Sequence, residues 1–373
     1  MPRLGVLWCP NWPVVVAGAQ ADEPVVVVHA NRVVACSQAA AAEGVAVGQR
    51  RREAQSRCPA ARLEPHDPSR DARAFDRVVQ AVGAMVPRVE ITEPGTVTFV
   101  ARGPARYFGG EEPMAARVVA VAADAVGMSL AAVGGLGIGV ADGRFAAGIA
   151  ARRSAARGAP VVVSAGREAT AGFLRPLQVH WLAEVAGVPS EFVHLLQRLG
   201  LHHLGEVAAL PAVDVAARFG PLGQFVHRVA AGGDDRLPGT LEPPRGLHVQ
   251  RSFEPPVQHS DALVFVARQL ADELVTVLSA DGQVCTRLAV VVETEHGERC
   301  ERIWYRSTGL SAAAMVERVR WQLDAWVQAA DLTAGVMLLR LDPVEVRSDD
   351  GVQLGLWGGR TQADDWAARA VAR

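Results

Sequence analysis

The chain has 373 residues, half of them apolar, and a formal charge of −2. That length and composition can bury more than one core. All 38 basic residues are Arg, so a lysine-dependent phosphate loop and Schiff-base chemistry are excluded. With charge near neutrality, any nucleic-acid contact must come from local patches. The five cysteines are scattered without a Cys-x-x-Cys pair, which argues against structural zinc and fits a reducing compartment. The N-terminus lacks a charged-then-apolar signal pattern, and no apolar run approaches the ~18 residues of a membrane span. A cytoplasmic protein with no membrane partner is expected.

In chain order, "RLGVLW" at 3–8 reads as a buried strand cut short by Pro10 and Pro13. "EPVVVVHANRVVACS" predicts a hairpin turning at His-Ala-Asn-Arg, and "QAAAAEGVAVGQRRREAQSRCP" a helical stretch punctuated by glycine. A helix is expected over 71–87, then a strand pair around Pro94-Gly95, then a helix with acids before Pro113. "LAAVGGLGIGVAD" predicts a strand and "GRFAAGIAARRSAA" a helix. From 173 to about 232 the pattern is helical, with separate helices at "SEFVHLLQRLG", "LGEVAAL", "AVDVAARFG" and "LGQFVHRVAAG". A Pro- and Gly-rich linker precedes a second α+β unit at 248–346, ordered strand, long helix, hairpin, helix, strand.

This order resembles the Y-family translesion DNA polymerases across nearly the whole chain. "VVACSQAAAAEGVAVGQRRREAQSRCP" resembles that family's fingers segment, "GIGVADGRFAAGIAA" its palm strand-turn-helix, and "LQRLGLHHLGEVAALP" its thumb hairpin. The resemblance implies an α+β fold with Y-family polymerase architecture. The palm would span 1–24 and 75–172, the fingers 25–74, and a helical thumb 173–244. A little finger would span 248–346 and a tail 347–373.

The family's two-metal chemistry uses paired carboxylates, which clamp the attacking and leaving oxygens. At the matching positions this chain has Trp8 and Pro10 on the first strand, and Glu93 followed by Pro94 on a later one. Residues 4–20 contain no Asp or Glu. The family's triphosphate-binding Tyr, Arg and Lys correspond to Gln38, Ala41 and Gly148. The opening "VLWCPNWP" is similar to the ImuB family, catalytically inactive Y-family homologues of bacterial mutagenesis cassettes. That likeness implies a non-enzymatic adaptor in damage-induced translesion synthesis, with no metal and no cofactor. The implied partners are the polymerase sliding clamp (beta), an error-prone C-family DNA polymerase, a RecA-like ImuA-type protein and, weakly, DNA. Two alternatives stay open: an active Y-family polymerase with an atypical metal site, and a DNA-structure-binding protein.

"QLGLW" near the C-terminus fits the bacterial clamp-binding pattern Gln-Leu-x-Leu-Phe/Trp with Gln353, Leu354, Gly355, Leu356 and Trp357. Apolar side chains of an extended peptide would enter a preformed pocket, with Gln353 hydrogen-bonding at the rim and Trp357 as anchor. The competing reading is a last strand packed on the preceding domain.

Other features carry less. "GGLGIG" at 134–139 lacks the acid that a dinucleotide site needs and reads as a strand whose glycines admit close helix packing. His202 and His203 have no further ligands beside them. The turn at Gly200 is either a phosphate-binding hairpin or a packing element. Arg50, Arg51 and Arg52 either contact nucleic acid or form a solvated face. The slightly acidic little-finger span argues against tight DNA binding there.

Overall fold

The computed structural model describes residues 1–87, 89–127, 133–233, 240–241, 246–306, 309–329 and 331–348. These divide into two compact units, Met1–Val89 with Glu93–Gly166, and Glu90–Thr92 with the remainder from Arg167.

The first unit opens with β1 (Arg3–Trp8) and α1 (Trp12–Val16). A small subdomain follows: β2 (Val25–His29), β3 (Arg32–Cys36), α2 (Gln38–Ala42), α3 (Arg51–Arg57) and β4 (Arg62–Pro65). The chain then runs through α4 (Pro68–Gly83), β5 (Glu90–Glu93), β6 (Thr96–Val100), α5 (Arg102–Tyr107) and α6 (Glu111–Val126). It closes with β7 (Gly137–Asp142), α7 (Arg144–Arg157) and β8 (Val161–Val162).

β1 is central, antiparallel to both β6 and β7, with β8 beyond β7. The smaller sheet runs β3-β2-β4 over its own core of Val26, Val33, Cys36, Val45, Ala54 and Cys58. Its predicted hairpin is present. Ala30 and Asn31 both take positive φ, 47° and 65°, the left-handed pair that a two-residue hairpin turn needs. The strand expected over 130–142 is confined to Gly137–Asp142 in the described residues, because Gly134 and Gly135 sit at φ 86° and 94°.

The second unit continues with α8 (Arg167–Leu174), α9 (Trp181–Ala186), α10 (Ser190–Arg198), α11 (Leu204–Ala208) and α12 (Ala212–Ala230). The two helices expected at 212–230 are both present within α12, separated at Gly220, whose φ of 60° is non-helical, ahead of Pro221, which cannot donate to the preceding turn. Next come β9 (Thr240–Leu241), β10 (Val249–Val257), α13 (Ser260–Ala280), β11 (Gln283–Thr294), β12 (Arg299–Tyr305), α14 (Ala312–Gln328) and β13 (Val336–Ser348). Strands β10-β13-β11-β12 run consecutively in one sheet. α13 and α14 pack together, and Trp321 of α14 meets Trp304 of β12 at 5.9 Å between ring centroids. No helix among the described residues is long and apolar enough to cross a membrane.

Candidate functional site

β1 carries the first positions singled out by the sequence. Its register pairs Leu4, Val6 and Trp8 with Ala141, Gly139 and Gly137, so these residues share one face of the sheet. α7 lies directly on that face. A Cβ at Gly139 would land on the Ala147 carbonyl and the Ala151 amide, and one at Gly137 on the Ala151 carbonyl. Gly137 and Gly139 of the "GGLGIG" stretch thus serve close packing of α7 against β7.

Trp8 ends β1, half-buried, with the Arg152 guanidinium of α7 4.7 Å from its ring centroid. Such a stack contributes ~0.5–1 kcal/mol when exposed and more when desolvated. Arg152 Nη1 also donates to the Gly148 carbonyl at 3.2 Å, one helical turn earlier. Gly148 itself is buried within α7. The Cys9 amide donates to Gly95 O at 2.8 Å, which ties the end of β1 to the β5–β6 turn. Pro10 is buried, Pro94 half-buried and Glu93 exposed. Burial pushes the Cys9 thiol up to about 12, so it is no nucleophile. Gln38 starts α2 and Ala41 follows on it, both exposed.

The structure therefore gathers Trp8, Cys9 and Pro10 beside the 93–95 turn, with Gly148 on the overlying helix. Arg152 joins them although the sequence reading passed it over; its place one turn beyond Gly148 was the available signal. This donor set does not fit a two-ion centre. The matched positions, Trp8 at the end of β1 and Pro10 in the turn after it, offer an indole and an imino-acid ring instead of carboxylate oxygen, and hard cations take oxygen ligands. Among the described residues, no three His, Cys, Asp or Glu side chains are grouped so that they could hold a metal ion.

In the thumb-like helices, Gly200 takes φ 83° between α10 and α11. The amides around it all have internal acceptors. Gly200 N donates to Gln197 O and Leu201 N to Leu196 O; Leu204 N and Gly205 N donate to Leu177 O and Arg175 O. The His202 and His203 amides both donate to Glu206 Oε2, at 2.6 and 2.8 Å. Those bonds hold the Glu206 carboxyl below its usual range. A phosphate at this turn would have to displace that carboxylate.

On the sheet of the second unit, two arginines are matched by acids. Arg299 pairs with Glu293 and Glu301, and Arg287 with Glu345 at 2.8 Å. Arg50, Arg51 and Arg52 differ. They lie exposed at the N-cap and first turn of α3, and no carboxylate among the described residues pairs with them. The peptide Gln353–Trp357 lies outside the described residues.

Residues 11–152 match the impB/mucB/samB family. A DNA polymerase IV of Dehalococcoides mccartyi is 29% identical over 146 residues, 39% of this chain and 36% of the relative. A DNA polymerase IV of Moorella thermoacetica is 26% identical over 222 residues, 60% of this chain and 51% of the relative. The chain thus spans about a third to a half of the length of these curated relatives. Among solved structures, an insertion ternary complex of Dbh DNA polymerase superposes with a TM-score of 0.54 at 14% identity, covering 93% of this chain and 98% of that one. DinB from Sulfolobus solfataricus gives 0.54 at 13% identity, covering 93% and 99%.

These comparisons correct one expectation. The chain was expected not to be an enzyme, yet its relatives are named DNA polymerase IV and its structural neighbours are DNA polymerases. Residues 11–152 carry an impB/mucB/samB segment, and the chain has the α+β fold of the Y-family DNA polymerases.

Proposed function

We propose that the protein works in translesion DNA synthesis, docking on the sliding clamp through Gln353, Leu354, Gly355, Leu356 and Trp357. From the clamp it brings together an error-prone C-family polymerase and a RecA-like accessory protein on damaged DNA. The observation that carries this reading is a Y-family polymerase fold followed, after its last described strand, by a clamp-type peptide with polar flanks. Loss of an aromatic anchor from a small hot spot costs at least ~2 kcal/mol, more than tenfold in affinity. The combined variant Gln353→Ala, Leu354→Ala and Trp357→Ala should lose clamp binding in a titration while keeping the wild-type far-UV spectrum. Unchanged clamp affinity refutes the docking.

A second reading is favoured by the names of the relatives: the chain itself extends primers. Primer extension with Mg²⁺ and Mn²⁺ measures this directly. Incorporation that disappears in Glu93→Ala would assign the activity to this palm.

A further inference from the structure

We propose that Arg50, Arg51 and Arg52, with Arg32 beside them, form the surface through which this protein holds the phosphate backbone of single-stranded DNA. The inference rests on the translesion reading above and assigns its DNA contact to one place.

The argument starts from where positive charge is left over. Across the described residues, arginines are repeatedly neutralised by carboxylates: Arg3 by Glu111, Arg57 by Glu53, Arg62 by Glu23, Arg299 by Glu293. A paired guanidinium must give up its carboxylate before it meets a phosphate, which removes most of the gain. Among the described residues Arg50, Arg51 and Arg52 have no such partner, and all three are exposed. The one acid within this run, Glu53, is engaged by Arg57 at 3.2 Å.

Strand pairing enlarges the patch. Arg32 of β3 forms a backbone bridge with Arg50, and the Arg51 amide donates to Asn31 O at 2.9 Å, so the hairpin turn and the start of α3 are adjacent. Arg32 is exposed, and its Nη1 donates to Gly48 O at 2.7 Å, which holds the side chain against the same loop. Four exposed arginines are therefore neighbours along the adjoining backbones of the β2–β3 turn and the start of α3. The helix dipole does not favour Arg50, Arg51 and Arg52, because cations in the first turn of a helix oppose it.

Two other surfaces are less suited. The thumb turn has its amides filled, and Arg287 and Arg299 on the second sheet are matched by acids. A single strand suits a patch this small, since its flexible backbone can bring successive phosphates to neighbouring guanidinium groups. Binding by phosphate neutralisation is salt-dependent, with a log–log slope of about 0.7 per contact for single strands.

The test is a fluorescence-anisotropy titration of labelled oligothymidine across a range of monovalent salt, using the full chain. The combined variant Arg50→Gln, Arg51→Gln and Arg52→Gln should lower the salt slope by about 2, three contacts at about 0.7 each. Arg50→Gln alone should lower it by about 0.7, which serves if the combined variant does not fold. Arg299→Gln is the matched control and should leave the slope unchanged. A wild-type slope in the combined variant, or an equal drop in Arg299→Gln, overturns the assignment while leaving DNA binding itself intact. Polyglutamate competing as well as unlabelled oligothymidine would make the patch a site for acidic protein and overturns it too. Absence of any DNA binding by the wild-type chain overturns both this assignment and the DNA part of the translesion reading.

Discussion

At Gly139 a hydrogen atom is the only side chain that fits. A Cβ there would strike the backbone of Ala147 and Ala151, and neither can retreat without moving α7 off β7. Gly139→Val should therefore destabilise the first unit by more than the ~1–3 kcal/mol typical of overpacking, measured by urea denaturation. His29 offers a second test at this scale. Burial, and then the neighbouring His66 charge, push its pKa below the ordinary 6.5. The two rings meet edge to face at 5.9 Å, and His66 Nε2 reaches Asp71 Oδ2 at 3.1 Å. Because the folded pKa is depressed, the unfolded chain takes up a proton first as pH falls. His29 therefore costs no stability above pH 6.5, and stability declines as pH drops from there through the folded pKa. Unfolding midpoints should fall between pH 7.5 and 5.5, and His29→Gln should reduce that fall.

At the scale of elements, local signals settled most of what was expected. The 3–8 strand, the hairpin around Ala30-Asn31 and the helix at 111–126 follow from alternation, turn residues and periodic apolar positions. The misses have physical causes. β4 and β8 are short and gain their identity from parallel neighbours far along the chain. The two predicted helices on either side of Gly220-Pro221 are present, separated by the non-helical φ and ψ of Gly220. Ser37 shows how one side chain secures an element. It caps α2 by accepting from Ala40 N at 3.3 Å, accepts from Val25 N at 2.9 Å, and donates to Glu23 O at 2.8 Å, fully buried. Ser37→Ala strands two amides and a carbonyl and should cost ~1–3 kcal/mol, read as a lowered urea midpoint.

For the whole molecule, the order of segments was legible early. The matches at 33–59, 137–151 and 196–211 lie where the fold places its small β-subdomain, its β7–α7 packing and its α10–α11 turn. Residue identity alone also set the expectation that Trp8 and Pro10 stand where the resemblance calls for carboxylates, since a missing oxygen ligand is missing in any conformation. Contact across the chain was not legible. That Arg152 lies over the Trp8 ring, that Glu206 fills the amides of the thumb turn, and that Arg32 joins Arg50 all depend on helices and strands meeting in three dimensions. Which arginines remain unpaired is likewise a property of the folded surface, because charge neutralisation is decided by neighbours in space. Sequence by itself determined the element types, their order and the chemical groups on offer; tertiary structure decided which of those groups are already occupied, since a hydrogen bond or ion pair forms only at distances that packing sets.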